Sequence, residues 1–326
     1  MSKCDITVTA EKTHYKIGDT VTGEVKVQID KECKCDGLTI EKYWQTHGKG
    51  NRSRGCHDTE TLFSGVWQPG AYAYPFSFKL EEGPLSYHGH ILNIDWYLKA
   101  KADIPWSLDP SGEVDFILEK NDEVDSDERD YLYRNSLDKK QVSINDKGWW
   151  KLFPLIFVII GITFVYTGES FFIGTIFSIV GSIIFYKMIQ SSLAERKLGE
   201  VTCTVDKEDY FPGDYFNATI KFTPRDKINI HTITAKLSGE EISVSGSGTN
   251  KTTHRHRFFE ETMELLQKGE LSKNFPVNRK CQFMIPENAP ASFEASDNDI
   301  KWSVIFEVDI PRWPDWYNDI SIRVLN

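Results

Sequence analysis

Apolar and polar residues alternate along short stretches in both halves of the chain. Residues 21–29 read VTGEVKVQI, in which every second residue is apolar or glycine and the residues between are polar. The same period of two occurs in residues 94–101, 216–222 and 302–308. This period is typical of half-buried β-strands, and the Gly, Pro, Asn and Asp residues between the stretches are typical of turns. The pattern predicts an all-β protein with one immunoglobulin-like antiparallel β-sandwich in each half.

The pattern changes abruptly over residues 149–188. Two apolar runs of 18 residues each, WWKLFPLIFVIIGITFVY and FFIGTIFSIVGSIIFYKM, are separated by TGES. A helix of that length is near the lower limit for crossing about 30 Å of hydrocarbon. The alternative, a buried helical hairpin in a soluble protein, is disfavoured because runs that are apolar on every face have no polar stripe for solvent. We therefore predict an inserted α-helical transmembrane hairpin.

Basic residues flank the predicted hairpin on both sides, whereas its tip carries only Glu169. The flanking residues are Lys139, Lys140, Lys147, Lys151, Lys187, Arg196 and Lys197. Lys and Arg near membrane helices favour the cytoplasmic side, and a hairpin returns the chain to the side that it left. The sequence thus predicts an integral membrane protein with two membrane helices and both soluble domains in the cytoplasm.

These features divide the chain into four segments. An N-terminal sandwich at residues 1–120 is followed by an acidic linker at 121–148, the hairpin at 149–188 and a C-terminal sandwich at 189–326. Residues 119–130 contain seven acidic residues in twelve, so the linker is predicted to be solvated rather than folded alone.

The two sandwiches repeat the same short motifs in the same order. The pairs are 15–19 (YKIGD) with 210–214 (YFPGD), 83–87 with 289–293, 94–96 with 300–302, and 103–105 with 309–311. The first pair is offset by 195 residues and the other three by 206, which indicates an insertion of 11 residues in the second copy. Because Gly tolerates positive φ and Asp bonds nearby backbone, each Gly-Asp pair predicts a tight turn.

The stretches GDTVTGEVKV and PLSYHGHILNIDWYLKAKADIPW resemble the arrestin-like sandwich of arrestins, α-arrestins, a retromer subunit and sporulation-control proteins. Ser86, Tyr87 and Gly89 match the motif Pro-x-Ser-Phe-x-Gly, with Tyr in place of Phe. In the second half Ser292 and Phe293 match, and Ala295 takes the Gly position. The resemblance implies two arrestin-like domains that bind protein partners through loops and strand edges. A hairpin between them departs from the usual arrestin pattern.

The overall charge and the cysteines exclude several classes of protein. A net charge of −10 and a pI near 5.4 give no broad basic surface for nucleic acid. Six cysteines form no spaced disulfide framework, and the N-terminal MSKCDITVTA lacks the apolar core of a secretory signal. These features predict a reducing compartment and no nucleic-acid partner.

Each half has a basic stretch between two predicted strands. Lys49, Arg52 and Arg54 occur in HGKGNRSRG, and the second set consists of Lys251, His254, Arg255, His256 and Arg257. We predict flexible loops there, which are candidates for partner contact. The alternative is a solvated hairpin tip with no partner.

Cys33, Cys35, Cys56 and His57 are the only candidate metal ligands that the sequence suggests. Structural zinc usually takes Cys pairs two to four residues apart, and Cys33 and Cys35 have one residue between them. No metal is predicted, although the sequence leaves open whether these cysteines meet. A search for nucleophile, metallohydrolase and phosphate-loop motifs yields no catalytic constellation, no cofactor site and no indication of a small-molecule substrate.

Together these features predict a membrane-anchored arrestin-like adaptor or scaffold that binds protein partners at the cytoplasmic membrane face. The alternative is a non-catalytic accessory subunit of a membrane transport or envelope complex. An enzyme is the third hypothesis.

Overall fold

The computed structural model describes residues 4–80, 83–105, 109–121, 154–167 and 171–325. Strands dominate both halves, and nearly all strand pairs are antiparallel. The prediction of an all-β protein with two sandwiches is therefore confirmed. The predicted acidic linker lies almost wholly outside the described residues.

The described residues of the N-terminal half form nine strands in two sheets. The strands are β1 (Cys4–Ala10), β2 (His14–Lys16), β3 (Thr20–Ile29), β4 (Cys33–Gly48), β5 (Arg54–Trp67), β6 (Gly70–Lys79), β7 (Tyr87–His88), β8 (Leu92–Asp103) and β9 (Ser111–Glu119). One sheet has the order β1-β3-β6. The other has the order β2-β9-β8-β4-β5, and β7 also pairs with β8.

The C-terminal half repeats this topology. Its strands are β10 (Thr202–Val205), β11 (Asp209–Tyr210), β12 (Tyr215–Phe222), β13 (Ile228–Ile230), β14 (Thr232–Ser245), β15 (Thr252–Leu266), β16 (Gly269–Leu271), β17 (Val277–Met284), β18 (Phe293–Glu294), β19 (Asn298–Asp309) and β20 (Trp316–Val324). Its sheets have the orders β10-β12-β17 and β11-β20-β19-β14-β15, and β18 also pairs with β19. The additional strands β13 and β16 pair with each other.

The repeated Gly-Asp motif forms the same tight turn in both halves. Gly18 has φ of 96° and Gly213 has φ of 89°, a region that favours glycine. The Asp19 carboxylate accepts a hydrogen bond from the Lys16 N–H at 2.9 Å, and Asp214 accepts one from the Phe211 N–H at 3.0 Å. The sequence motif is thus a turn in each copy.

The second repeated motif holds each sandwich together around a buried tryptophan. The indole N–H of Trp96 donates to the Pro84 carbonyl at 2.8 Å, and that of Trp302 donates to the Pro290 carbonyl at 2.9 Å. Both indoles are almost completely buried, and each belongs to the hydrophobic core of its own half. The motif therefore repeats because it builds a core.

The extra residues of the second copy lie mainly in the β14–β15 hairpin. Trp44 and Gly239 are equivalent because they pair with the repeated tryptophans of β8 and β19. On the other side of the hairpin Trp44 pairs with Gly55 and Gly239 pairs with Phe259. The equivalent residues Trp44 and Gly239 are 195 positions apart, whereas the equivalent residues Gly55 and Phe259 are 204 apart. Nine of the 11 inserted residues therefore lie between these positions and lengthen the hairpin.

The two apolar runs form two packed helices, α1 (Pro154–Thr167) and α2 (Phe171–Leu198). Gly161 and Gly174 allow the helices to approach closely, since a Cβ on either glycine would lie 2.6 Å from the carbonyl oxygen of the other. Most other apolar side chains described on the hairpin are exposed in the single chain.

The prediction of an integral membrane protein with two transmembrane helices is wrong. Among the residues that the structure describes, no helix combines the length and apolar character needed to cross a membrane. α1 has 14 residues and is about 21 Å long, short of the roughly 30 Å of a hydrocarbon core. α2 has 28 residues, but its apolar run ends at Met188 and its last turn is charged. The placement of both domains in the cytoplasm rested on this hairpin and has no basis without it.

The C-terminal end of α2 belongs to the C-terminal sandwich. Ala194 and Leu198 are fully buried in its hydrophobic core. The indole N–H of Trp316 on β20 donates to the Glu195 carboxylate at 3.4 Å. The Lys197 ammonium lies 4.6 Å from the ring centroid of Trp313. These contacts fix the direction in which α2 leaves the sandwich.

Candidate functional site

The first basic stretch packs against the other half of the molecule. The backbone N–H of Asn51 donates to the carbonyl of Val244 at 2.8 Å, and its side-chain amide donates to the Gly246 carbonyl at 2.8 Å. Arg54 begins β5, forms an ion pair with Glu41 and lies 3.7 Å from the ring centroid of Tyr43.

The remaining two residues of this stretch lie on either side of Asn51. Lys49 and Arg52 are exposed there. The segment between β4 and β5 is therefore part of the junction between the two halves.

The second basic stretch is a strand for most of its length, so the prediction of a flexible loop is wrong there. His254, Arg255, His256 and Arg257 belong to β15, and Lys251 precedes it. The added length of the hairpin places these residues in register with β14 rather than in its turn.

The basic side chains of the second stretch have partners within the chain. Lys251 lies 3.5 Å from the Asp297 carboxylate, and the imidazole of His254 lies within 3.1 Å of the Ser245 hydroxyl. Arg255 and Arg257 both pair with Glu240. Contact of either basic stretch with another protein stays a prediction.

One edge of each larger sheet ends on a long strand, β5 in the N-terminal half and β15 in the C-terminal half. Register shifts interrupt both strands: β4–β5 pairing shifts near Lys42 and β14–β15 pairing shifts between Gly239 and Glu240. Such bulges bend an edge strand and shorten the part of it that can pair with another strand.

A buried polar cluster joins the two halves around Asn298. Its side-chain amide donates to the Thr46 hydroxyl at 3.0 Å, the Asn51 carbonyl at 2.7 Å and the Ser53 hydroxyl at 3.2 Å. Its amide oxygen accepts a hydrogen bond from the Ser243 hydroxyl at 3.1 Å. Asn51 is half-buried and the other four residues are buried, so these hydrogen bonds are made inside the junction.

A second buried cluster joins the halves around the Glu241 carboxylate. Glu241 on β14 is only 1% exposed. It accepts a hydrogen bond from the Tyr87 hydroxyl at 2.7 Å, and the backbone N–H groups of His90, Ile91 and Leu92 donate to it at 3.0, 2.6 and 3.2 Å. Burial, followed by the hydrogen bond to Glu241, raises the pKa of the Tyr87 phenol, which therefore stays a donor.

Apolar and aromatic contacts surround these two polar clusters. Leu92, Ile94 and Ile300 form a small hydrophobic cluster across the junction. The rings of Trp44 and Phe293 meet edge to face at 5.4 Å. The imidazoles of His90 and His256, one from each half, stack at 4.2 Å.

A cavity of about 510 Å³ lies between the two copies of the tryptophan-holding motif. Its walls include residues 83–87 of the first copy and 289–293 of the second, together with Trp44, Ile94 and Ile300. Lys120 and Glu287 also line it. The cavity thus lies between equivalent motifs of the two halves and is lined by both polar and apolar groups.

Residues 196–323 match the family model described as "Arrestin (or S-antigen), C-terminal domain". The resemblance to the arrestin-like superfamily is therefore confirmed over the C-terminal half of the chain. The N-terminal half has the same strand order, so the same sandwich topology is present twice.

Two other comparisons add little. The sporulation control protein Spo0M from Bacillus subtilis aligns over 98% of this chain and 90% of its own, at 12% identity. Its TM-score of 0.32 is too low to support a comparison of the two structures. No curated protein matches the chain.

The strand register of the N-terminal arrestin-like sandwich keeps the candidate metal ligands apart. Cys35 pairs with Gly65, whereas Cys56 pairs with Tyr43. Tyr43 is eight residues beyond Cys35 on β4, or roughly 25 Å along a strand. The backbone of residue 56 is therefore far from Cys33 and Cys35 along the sheet.

The sequence reasoning missed the residues that join the two arrestin-like sandwiches. One signal was available: the 195-residue offset aligns Glu241 with Thr46, a position that faces the junction in both copies. A carboxylate at a buried strand position needs hydrogen-bond donors from elsewhere in the fold. Those donors are about 150 residues away, in a turn that no local pattern connects with β14.

Proposed function

We propose that this chain is a non-catalytic adaptor in which two joined arrestin-like sandwiches hold protein partners together. The arrestin-like fold generally serves adaptors and scaffolds, and the family match over residues 196–323 is the observation that carries the proposal. The junction supports it further, because its buried hydrogen bonds allow partners on the two halves to be held at a set distance.

We place the binding surface on the outer edge of β15. This strand is the last of its sheet in the described part of the chain, so a partner in extended conformation can add to it by main-chain hydrogen bonds. Arg255 and Arg257 stand on this edge with side chains 62% and 48% exposed. The neighbouring Glu240 offsets part of their charge, so main-chain pairing rather than charge dominates the expected contact.

Site-specific photo-crosslinking tests this placement. A photo-reactive amino acid replaces the exposed Glu264 of β15 or, as the matched control, the exposed Glu24 of the central strand β3. The expected result is a discrete set of crosslinked proteins from position 264 and several-fold lower yields from position 24. Equal yields would exclude β15 as the binding edge, and no discrete partner at either position would contradict the adaptor function.

A further inference from the structure

The turn that receives the Glu241 carboxylate has the geometry of an anion site. Three consecutive backbone N–H groups, from His90 to Leu92, point at one carboxylate, and the Tyr87 hydroxyl completes the set of donors. Successive N–H groups that converge in a turn form a concave site for anions. Here the anion is supplied by β14 of the other sandwich.

Gly89 leaves the space that the carboxylate occupies. A Cβ at this position would lie 2.1 Å from Oε1 of Glu241 and 2.6 Å from its carboxyl carbon. Gly89 has no positive φ, so its backbone conformation does not require glycine. A Cβ here would also lie 2.6 Å from Cε1 of Tyr87, so the carboxylate and the Tyr87 ring that binds it together leave room only for glycine in this turn.

The equivalent turn of the second copy forms without a carboxylate bound to it. Gly89 corresponds to Ala295, and both donate their N–H across the same turn, to Leu92 and Asn298 respectively, at 2.9 Å. The position equivalent to Glu241 holds Thr46, which meets Asn298 instead. The fold can thus form this turn with alanine, and only the copy that faces Glu241 has glycine.

Burial makes this interaction costly to lose. A carboxylate that is 1% exposed has given up its hydration, and the four hydrogen bonds replace it. When the carboxylate is removed, the three N–H groups remain in a turn that still has room for a small anion. The turn then offers the same donors to a carboxylate from solution.

We propose that residues 87–92 form a carboxylate-binding site, and that Glu241 is its built-in ligand, which locks the two sandwiches in one relative orientation. A free carboxylate of acetate size fits the space that the Glu241 side chain leaves.

Acetate rescue of the full-length chain tests the proposal. The variant Glu241→Ala is expected to unfold several degrees below the wild type. Sodium acetate is expected to raise its unfolding temperature more than sodium chloride of equal ionic strength does, and to saturate. The wild type and Glu241→Gln, whose sites are filled, are expected to show no such difference between the two salts.

The double variant Glu241→Ala with Gly89→Ala is the matched control. Its added methyl group occupies the space of the carboxylate, so acetate should no longer stabilise it beyond the effect of chloride. Equal stabilisation of the single and double variants, or none of either, would overturn the proposal. If Glu241→Ala is unfolded in chloride, the acetate concentration that restores its near-ultraviolet circular dichroism becomes the measurement, and failure to restore it would likewise overturn the proposal.

Discussion

Position 89 requires glycine because of a contact that the amino-acid composition does not reveal. In the wild type, Gly89→Ala places a methyl group against Glu241, and overpacking of this kind costs about 1–3 kcal/mol. In Glu241→Ala the same substitution should cost less, because the carboxylate is gone and only the Tyr87 ring remains close to the methyl group. Chemical unfolding of the two single variants and the double variant measures this coupling.

Gly37→Ala is the control for that measurement. A Cβ on Gly37 meets nothing within 4 Å, and its φ is not positive, so the free energy of unfolding should change little. An equal loss of stability in Gly37→Ala and Gly89→Ala would show that the effect comes from the backbone rather than from Glu241.

The cysteine thiols should resist alkylation while the protein is folded. Burial raises the pKa of Cys203 to about 12 and that of Cys281 to about 11. Because the thiolate is the reactive form, iodoacetamide at pH 8 should modify both thiols slowly in the native protein and quickly in guanidinium chloride. Mass spectrometry of peptides from the two reactions checks this, and equal rates would contradict the burial of these thiols.

The lengthened β14–β15 hairpin is the element that distinguishes the second copy, and it contacts the N-terminal half through Asn51. Asn51→Ala removes hydrogen bonds to Gly246 and Asp297 and should lower the free energy of unfolding by about 1–3 kcal/mol. Arg52→Ala, at the exposed neighbouring position, is the control and should change it by less than about 0.5 kcal/mol. Similar losses in the two variants would mean that the hairpin contact contributes little.

Sequence patterns predicted the elements better where their cause was local. The Gly18-Asp19 turn and the alternating strands follow from residues within ten positions of one another, and the structure has both. The basic stretch at 254–257 was assigned to a loop because nothing local shows how far the hairpin extends. Only the register, in which Gly239 pairs with Phe259, reveals the additional pairs.

The transmembrane prediction failed for a related reason. Hydropathy measures how apolar a run is, but the length of the helix depends on where it ends, and α1 comprises only Pro154–Thr167. The partners of the junction could not be predicted from local patterns, since Glu241 and Asn298 meet residues of the other half through contacts that span 149 to 252 positions.

At the scale of the whole molecule, the two sandwiches should unfold together. Asn298→Leu introduces the residue that the first copy has at the equivalent Leu92, and it leaves the hydroxyls of Thr46 and Ser53 without their shared donor. The expected loss is about 2–4 kcal/mol, and calorimetry should show one transition in the wild type and two in the variant.

Asn250→Leu, at the exposed tip of the β14–β15 hairpin, is the control for this experiment and should retain one transition. A single transition with an unchanged midpoint in Asn298→Leu would show that the polar cluster does not couple the halves.

Because Ala194 and Leu198 are buried in the core of the C-terminal sandwich, α2 moves with that sandwich as one rigid body. A helix of 28 residues is about 42 Å long, and its C-terminal end is clamped in the core of one sandwich. A tilt of that sandwich by about 10° would move the far end of the helix by roughly 7 Å, which is more than the distance between two neighbouring strands of a sheet. Small rotations at the junction are thus magnified at the tip of the hairpin.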